Sequence, residues 1–172
     1  MIEKEIVSEC NVESLVASVM LGVISDHRQG ANGVAKGLNG LTENFPSIGF
    51  VDKDKRLDGY FDQFLQEPIE NYVVNTKCGI SLFKHPKKSQ YLVLSYPAMD
   101  MVLFELCRRH SLHKLDFKTF KVRSKRVLRN DPMFTNWVNT LCQKKDSVFY
   151  ELKAKLMELR SQNVKPKRRT SR

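Results

Sequence analysis

Short apolar runs alternate with helix-like segments along the N-terminal part of the chain. The runs Ile6–Glu9 and Ser47–Val51 are bounded by polar residues and predict buried β-strands. Between them, residues 12–23 and 34–44 carry apolar positions at helical spacing, and the polar stretch 25–33 predicts a loop. Strands separated in this way are joined by a helical crossover, so the pattern predicts a parallel β-sheet.

The remaining pattern adds two strands and then helices. A short amphipathic helix is predicted at 60–65, followed by strands at Ile80–Phe83 and Tyr91–Leu94. The connector between these strands is too short for a helix, so we expect them to be antiparallel. A helix follows at 98–109, and the rest of the chain is helical. The last predicted helix has an apolar stripe: Val148, Phe149, Leu152, Leu156 and Leu159. The predicted fold is α/β, with a mainly parallel sheet sandwiched by helices.

Charge is distributed unevenly along the chain. The net charge is +10, but residues 1–120 carry 14 Lys and Arg against 15 Asp and Glu, whereas residues 121–172 carry 15 against 4. This asymmetry favours a polyanionic partner, most simply nucleic acid, although a solvated basic surface gives the same count. We expect an α/β core over 1–115, a basic helical extension packed on it over 116–162, and a disordered basic tail over 163–172.

Several classes of protein are disfavoured. No apolar run approaches the roughly 18–20 residues that span a bilayer, and the N-terminus lacks the pattern of a signal peptide. We therefore expect a cytoplasmic protein without a membrane partner. The four cysteines have no C-x-x-C spacing, which argues against a zinc knuckle. The absence of G-x-x-x-x-G-K-[ST] and of G-x-S-x-G argues against an ATPase and a serine hydrolase.

Carboxylates stand where the two N-terminal strands are predicted to end. Glu9 closes the first apolar run, and Asp52 and Asp54 follow the second at a spacing that puts both on one side of a strand. Because ligands of open α/β sheets bind at the carboxyl ends of strands, we expect the three carboxylates to meet. Such a cluster needs a cation, and Mg²⁺ is the usual choice beside phosphates. The alternative is a merely solvated polar turn.

These motifs resemble those of the Toprim (topoisomerase–primase) domain, most of all in the overcoming-lysogenization-defect nucleases and the RloB-like proteins of bacterial and phage conflict systems. Residues 7–13 resemble V-E-G-x-x-E, and residues 49–54 resemble G-hydrophobic-hydrophobic-D-x-D. Residues 96–104 loosely resemble N-P-x-F-E followed by an apolar helix. The resemblance covers about residues 5–110 and implies a Toprim-like, Rossmann-like core.

The resemblance implies a nuclease that hydrolyses phosphodiesters of DNA or RNA, in phage defence or on a mobile element, with Mg²⁺ or Mn²⁺ as cofactor. Glu9, Asp52 and Asp54 would be catalytic, and together with Asp100 they would hold the metal. Any ATPase partner would act in trans, since this chain lacks the motif. Nucleic acid is expected to bind basic residues beside the acids and in the C-terminal third: Lys53, Lys55, Arg56, Lys121, Arg123, Lys125, Arg126 and Arg129.

Departures from the family motifs keep a second function open. Cys10 stands where the first motif has glycine, and a side chain there narrows the space for close backbone approach. Asp100 replaces a longer glutamate, and an acid in a first helical turn also complements the helix dipole without binding metal. The same interpretation makes Glu13 a solvated first-turn acid. The alternative is therefore a catalytically silent Toprim-like module that binds nucleic acid or a protein.

Overall fold

A six-stranded sheet lies at the centre of the protein, in a computed structural model that describes residues 5–53, 57, 59–128 and 130–162. Its strands are β1 (Ile6–Ser8), β2 (Asp26–His27), β3 (Ser47–Asp52), β4 (Glu70–Val73), β5 (Gly79–Lys84) and β6 (Gln90–Tyr96). Their order across the sheet is β2-β1-β3-β6-β5-β4. The first four strands in this order run parallel, whereas β5 is antiparallel to both β6 and β4. The predicted mainly parallel sheet is confirmed.

Helices cover both faces of the sheet. They are α1 (Asn11–Leu21), α2 (Gly30–Asn39), α3 (Met99–Arg109), α4 (Phe117–Ser124), α5 (Pro132–Gln143) and α6 (Val148–Gln162), with a short 3-10 helix at Gly59–Gln63. One face packs against α1, α3, α4, α5 and α6 through a large apolar cluster, and the other packs against α2 and the 3-10 helix. The resulting helix–sheet–helix sandwich is compatible with a Rossmann-like fold.

The alternation of side chains along the central strands produces the two cores. On β3, Ile48 and Phe50 belong to the larger cluster, whereas Val51 belongs to the smaller one. On β6, Val93 belongs to the larger cluster and Leu92 belongs to the smaller one. A strand that is buried on both faces must be apolar at successive positions. This is why β3 and β6 are recognisable as continuous apolar runs.

Two local predictions are wrong. The segment 25–33 is not only a loop, because it contains β2 and the start of α2, which begins at Gly30 and ends at Asn39. The backbone at Gly30 has a φ of +73°, which glycine adopts without strain. β4 was not predicted, because in this edge strand only Tyr72 is buried and no apolar run marks it.

The C-terminal helices share the larger core with the sheet. Phe120 of α4 stacks on Trp137 of α5 at a centroid distance of 5.8 Å, and Phe104 of α3 lies 5.3 Å from Phe120. The apolar stripe predicted along the last helix is buried throughout α6. The helices of residues 116–162 therefore cover one face of the sheet. The predicted tail, 163–172, lies outside the described residues.

None of the helices in the described ranges is both long enough and apolar enough to cross a membrane.

The membership of α6 in the core can be tested by truncating one side chain. Leu156 is fully buried, whereas the adjacent Met157 is 44% exposed. Leu156→Ala should lower the free energy of unfolding by about 2–5 kcal/mol, because it removes buried methyl groups and leaves a cavity. Met157→Ala should change it by no more than about 0.5 kcal/mol. Denaturant unfolding followed by circular dichroism measures both, and equally small effects would show that α6 is not part of the cooperative core.

Candidate functional site

The two predicted strand-end carboxylates lie side by side. Glu9 directly follows β1, and Asp52 is the last residue of β3, which pairs with β1 in parallel. The backbone N–H of Asp52 donates a hydrogen bond of 3.2 Å to Oε2 of Glu9, and both side chains are buried. Parallel neighbours end at the same edge of a sheet, so this pairing brings the two acids together as expected.

A third carboxylate, that of Glu13, completes a buried acidic cluster. Helix α1 begins directly after Glu9 with Cys10 as its N-cap, and this puts Glu13 in the first turn. Oε2 of Glu13 accepts a hydrogen bond of 2.7 Å from the backbone N–H of Cys10, as in a capping box. Its Oε1 is buried and receives no hydrogen bond from any described N–H or hydroxyl group. The alternative of a solvated first-turn acid is therefore wrong, because Glu13 is completely buried.

Asp52 is held in place by the neighbouring strand β6 and the helix that follows it. Oγ of Ser95 donates to Oδ1 of Asp52 at 2.6 Å, and the N–H of Met99, the first residue of α3, donates to the same oxygen at 2.8 Å. The positive end of the α3 dipole favours this anion. No basic side chain in the described ranges forms an ion pair with the carboxyl groups of Asp52 and Glu13.

Burial and mutual repulsion perturb the ionisation of this cluster. The pKa of Glu13 is raised well above 4.5, first because burial penalises its charged form and then because Asp52 lies beside it. Burial also raises the pKa of Asp52, although hydrogen bonds with Glu13, Ser95 and Met99 oppose the shift. Two carboxyl groups hydrogen-bond to each other only when one is protonated. The hydrogen bond between Glu13 and Asp52 therefore depends on a proton carried by one of the two carboxyl groups.

Cys10 adds a sulfur atom to the carboxylates. Its Sγ and one carboxylate oxygen each from Glu13 and Asp52 all lie within 4.8 Å of one another. In the part of the chain that the structure describes, these three side chains form the cluster with metal-ligand spacing, and Glu9 borders it through Asp52. Burial, followed by the charges of Glu13 and Asp52, raises the pKa of the Cys10 thiol. The thiol is therefore neutral at physiological pH.

Glu9, Cys10 and Asp52 line a cleft of about 430 Å³ at the carboxyl edge of the sheet, whereas the fully buried Glu13 does not contribute to its lining. Three helices begin in its wall, since Asn11 is the first residue of α1, Gly30 is the first of α2, and Ala98 is the N-cap of α3. Lys121 of α4 and its C-cap Lys125 also line the cleft. Helix N-termini and lysines both favour anions. The cleft thus places acidic side chains, which attract cations, beside helix N-termini and lysines, which attract anions.

The other predicted site residues fall into three groups. Three of them line this cleft: Asp100, Lys121 and Lys125. Three are solvent-exposed and do not contribute to its lining: Lys53, Arg123 and Arg126. The rest lie outside the described residues: Asp54, Lys55, Arg56 and Arg129.

The sequence prediction left Glu13 and Cys10 out of the site. The available signal was spacing, because an acid at the third position of a helix turns back toward the N-cap. When that N-cap directly follows a strand-end acid such as Glu9, the third-position side chain returns to the same edge of the sheet. Cys10 was singled out only because it replaces the glycine of the first motif, and its side chain was expected to narrow the site rather than to act as a ligand.

Comparison of the chain with protein-family models, curated protein sequences and solved structures gives no significant match. The fold and the cleft define an α/β protein with an acidic cluster at the carboxyl edge of a mostly parallel sheet.

The burial of Glu13 beside Asp52 predicts that neutralising Glu13 stabilises the protein. Because its folded pKa is raised, the contribution of Glu13 to stability is fully present below about pH 4.5 and is lost as the pH rises through the folded value. Glu13→Gln keeps an oxygen for the N–H of Cys10 and cannot ionise. The variant should therefore melt at a higher temperature than the wild type at pH 7 in the presence of chelator, and the difference should shrink on acidification.

Thermal melts across a pH series measure this effect. Glu67→Gln, at an exposed position, is the matched control and should leave the melting temperature nearly unchanged. A lower melting temperature for Glu13→Gln at pH 7 would contradict the proposed cost of an ionised Glu13.

Proposed function

We propose that this protein is a metal-dependent phosphodiesterase that cleaves nucleic acid, in the manner of a Toprim-like nuclease, with Mg²⁺ or Mn²⁺ as cofactor. The observation that carries the proposal is the buried acidic cluster in a cleft that also contains three helix N-termini and two lysines. Acidic side chains alone attract cations, and helix N-termini alone attract anions. A cleft with both fits a phosphate bridged by a metal ion.

The donor atoms fit a divalent cation. Glu13 Oε1 is buried without an N–H or hydroxyl donor, and a cation between Glu13 and Asp52 would offset the repulsion between the two carboxylates when both are ionised. Glu13 and Asp52 would hold the ion, with Glu9 adjacent and Asp100 on the cleft wall. A bound metal ion supplies Lewis-acid polarisation of the phosphate and acidifies water.

The chain's own residues bind and orient the substrate in this proposal. Lys121 and Lys125 neutralise phosphate oxygens, and the N-termini of α1 and α2 donate further N–H groups. Glu9 accepts a proton from the attacking water, a role that suits a buried carboxylate within reach of the metal site. Ser95 fixes the orientation of Asp52 and therefore acts as a positioning residue.

The silent-module alternative has one observation in its favour. Cys10 lines the cleft, and its Sγ lies within 4.8 Å of the carboxylates of Glu13 and Asp52. A side chain at this position takes up space that the glycine of the family motif leaves to the substrate. The cleavage experiment below separates a silent module from a nuclease.

The nuclease activity should depend on Asp52 and on metal. Purified protein is incubated with supercoiled plasmid DNA and with a structured RNA, in Mg²⁺, in Mn²⁺ and in chelator, and the products are resolved on gels. The wild type should cleave one of the two substrates only with metal, and Asp52→Asn should reduce cleavage to background. Asp62→Asn, an exposed acid in the 3-10 helix, is the matched control and should remain active.

A graded loss at Ser95 would show that Asp52 needs its partner. Ser95→Ala should lower metal affinity or activity by about 10–100-fold, because loss of an outer-shell hydrogen bond loosens a metal ligand. Ser81→Ala removes a comparable hydroxyl on β5, where Oγ donates a hydrogen bond to Asn71, and should have no effect.

Cleavage that survives chelation or the Asp52→Asn change would overturn the proposal. An inactive wild type in every metal would support the silent module.

Nucleic-acid binding should be salt-dependent and should require the cleft lysines. Each phosphate contact contributes a slope of about −0.9 to the log–log dependence of affinity on salt for duplex DNA. Lys121→Ala/Lys125→Ala should therefore weaken binding and make the slope shallower by up to about 1.8. Fluorescence anisotropy across a salt series, in chelator, measures this.

The matched control is Lys144→Ala/Lys145→Ala, which removes the same charge from positions that do not line the cleft. Both double variants have the same net charge, so a purely non-local effect would change them equally. Binding that is independent of salt, or equal losses in the two variants, would contradict a role for the cleft lysines.

A further inference from the structure

We propose that the cleft contains a metal position of mixed sulfur and oxygen donors, formed by Cys10 Sγ and the carboxylates of Glu13 and Asp52, that prefers a zinc-like ion to Mg²⁺. The proposal shares Glu13 and Asp52 with the phosphodiesterase function but does not require cleavage, because metal binding is measured directly. It concerns the ion that the protein selects rather than the reaction.

The sulfur atom decides which ion fits. Mg²⁺ binds oxygen ligands almost exclusively and keeps much of its water shell, whereas thiolates favour zinc, cobalt and cadmium. Of the four free cysteines, Cys10 alone lines the cleft. The other three are buried within the apolar core: Cys78, Cys107 and Cys142. Cys10 differs from these core cysteines because it lies beside two carboxylates.

A second observation points independently to a ligand at this position. Oε1 of Glu13 is buried and has no N–H or hydroxyl donor, while Oε2 accepts a hydrogen bond from the N–H of Cys10. Leaving a buried carboxylate oxygen without a partner is costly. An ion between Glu13, Asp52 and Cys10 would satisfy this oxygen and offset the repulsion between the two acids.

The geometry is compatible with a zinc-like ion that has one open position. Zinc binds thiolate at about 2.3 Å and carboxylate at about 2.0–2.2 Å, usually with four ligands. The three donor atoms lie within 4.8 Å of one another, so modest side-chain rotations bring them around one ion. Of the three donor residues, Cys10 and Asp52 line the cleft, so we expect the fourth position to face it. On binding, the thiol gives up its proton to solvent as the metal–sulfur bond forms.

Cobalt provides a direct probe of the sulfur ligand, because a thiolate bound to Co²⁺ gives a charge-transfer absorption band in the near ultraviolet. Full-length wild-type protein is titrated with Co²⁺ alone, and then with Zn²⁺ as a competitor. The wild type should develop the band at one equivalent, Zn²⁺ should abolish it, and a large excess of Mg²⁺ should leave it unchanged. Cys10→Ala and Cys10→Ser should lack the band, while Cys142→Ala, the matched control, should retain it.

Zinc affinity from the competition provides the quantitative test. Cys10→Ser should weaken Zn²⁺ binding by more than about tenfold. Loss of an outer-shell partner weakens metal binding by about 10–100-fold, and loss of a direct ligand should weaken it at least as much. Asp52→Asn and Glu13→Gln should weaken it as well, although both keep the thiol. Circular dichroism and thermal melts establish that each variant is folded. If Cys10→Ala does not fold, the more conservative Cys10→Ser change supplies the comparison.

Each outcome bears on the proposal. Absence of the band in folded wild-type protein would overturn it, as would a band that persists in Cys10→Ala or disappears only in Cys142→Ala. Displacement of Co²⁺ by Mg²⁺ at similar concentrations would overturn the claimed preference. A cobalt band without nuclease activity would remove the proposed function alone, whereas magnesium-dependent cleavage without a band would remove this inference alone.

Discussion

The parallel pairing of β1 with β3 is the constraint on which the rest of the site depends. It makes both strands end at one edge of the sheet, and the N–H of Asp52 then reaches the carboxylate of Glu9. The pairing of β3 with β6 extends the same edge and brings Ser95 and the start of α3 to Asp52. Because each crossover helix starts at this edge, helix N-termini collect there together with the acids.

This arrangement is energetically unfavourable by itself. Glu9, Glu13 and Asp52 are buried in one place, and burial raises the pKa of both Glu13 and Asp52. The hydrophobic core offsets the cost of burying these acids. It is built on both faces of the sheet and includes residues as late in the chain as Leu159. An acidic cluster that lowers stability in this way is more readily explained by function than by folding.

Much of the fold could be predicted because central strands are buried on both faces and therefore appear as apolar runs. β3 and β6 were found in this way, and the short connector between β5 and β6 indicated that they are antiparallel. β4 was not predicted because only one side chain of this edge strand, Tyr72, is buried. β2 was not predicted because a strand of two residues shows no periodicity. The positions of Glu9 and Asp52 followed from strand ends. Glu13 did not, since its burial depends on a capping interaction rather than on hydrophobicity.

Glu13 and Asp52 connect the two proposals about the cleft, because the same carboxylates would hold a hard catalytic ion and the softer ion favoured by Cys10. The two carboxylates cannot serve both ions fully, so the availability of zinc would set how much of the protein is ready to use Mg²⁺. The hydrogen bonds from Ser95 and Met99 fix one oxygen of Asp52 and therefore limit how far it can turn between partners. Competition at these two buried side chains would then link metal supply to activity without any change in fold.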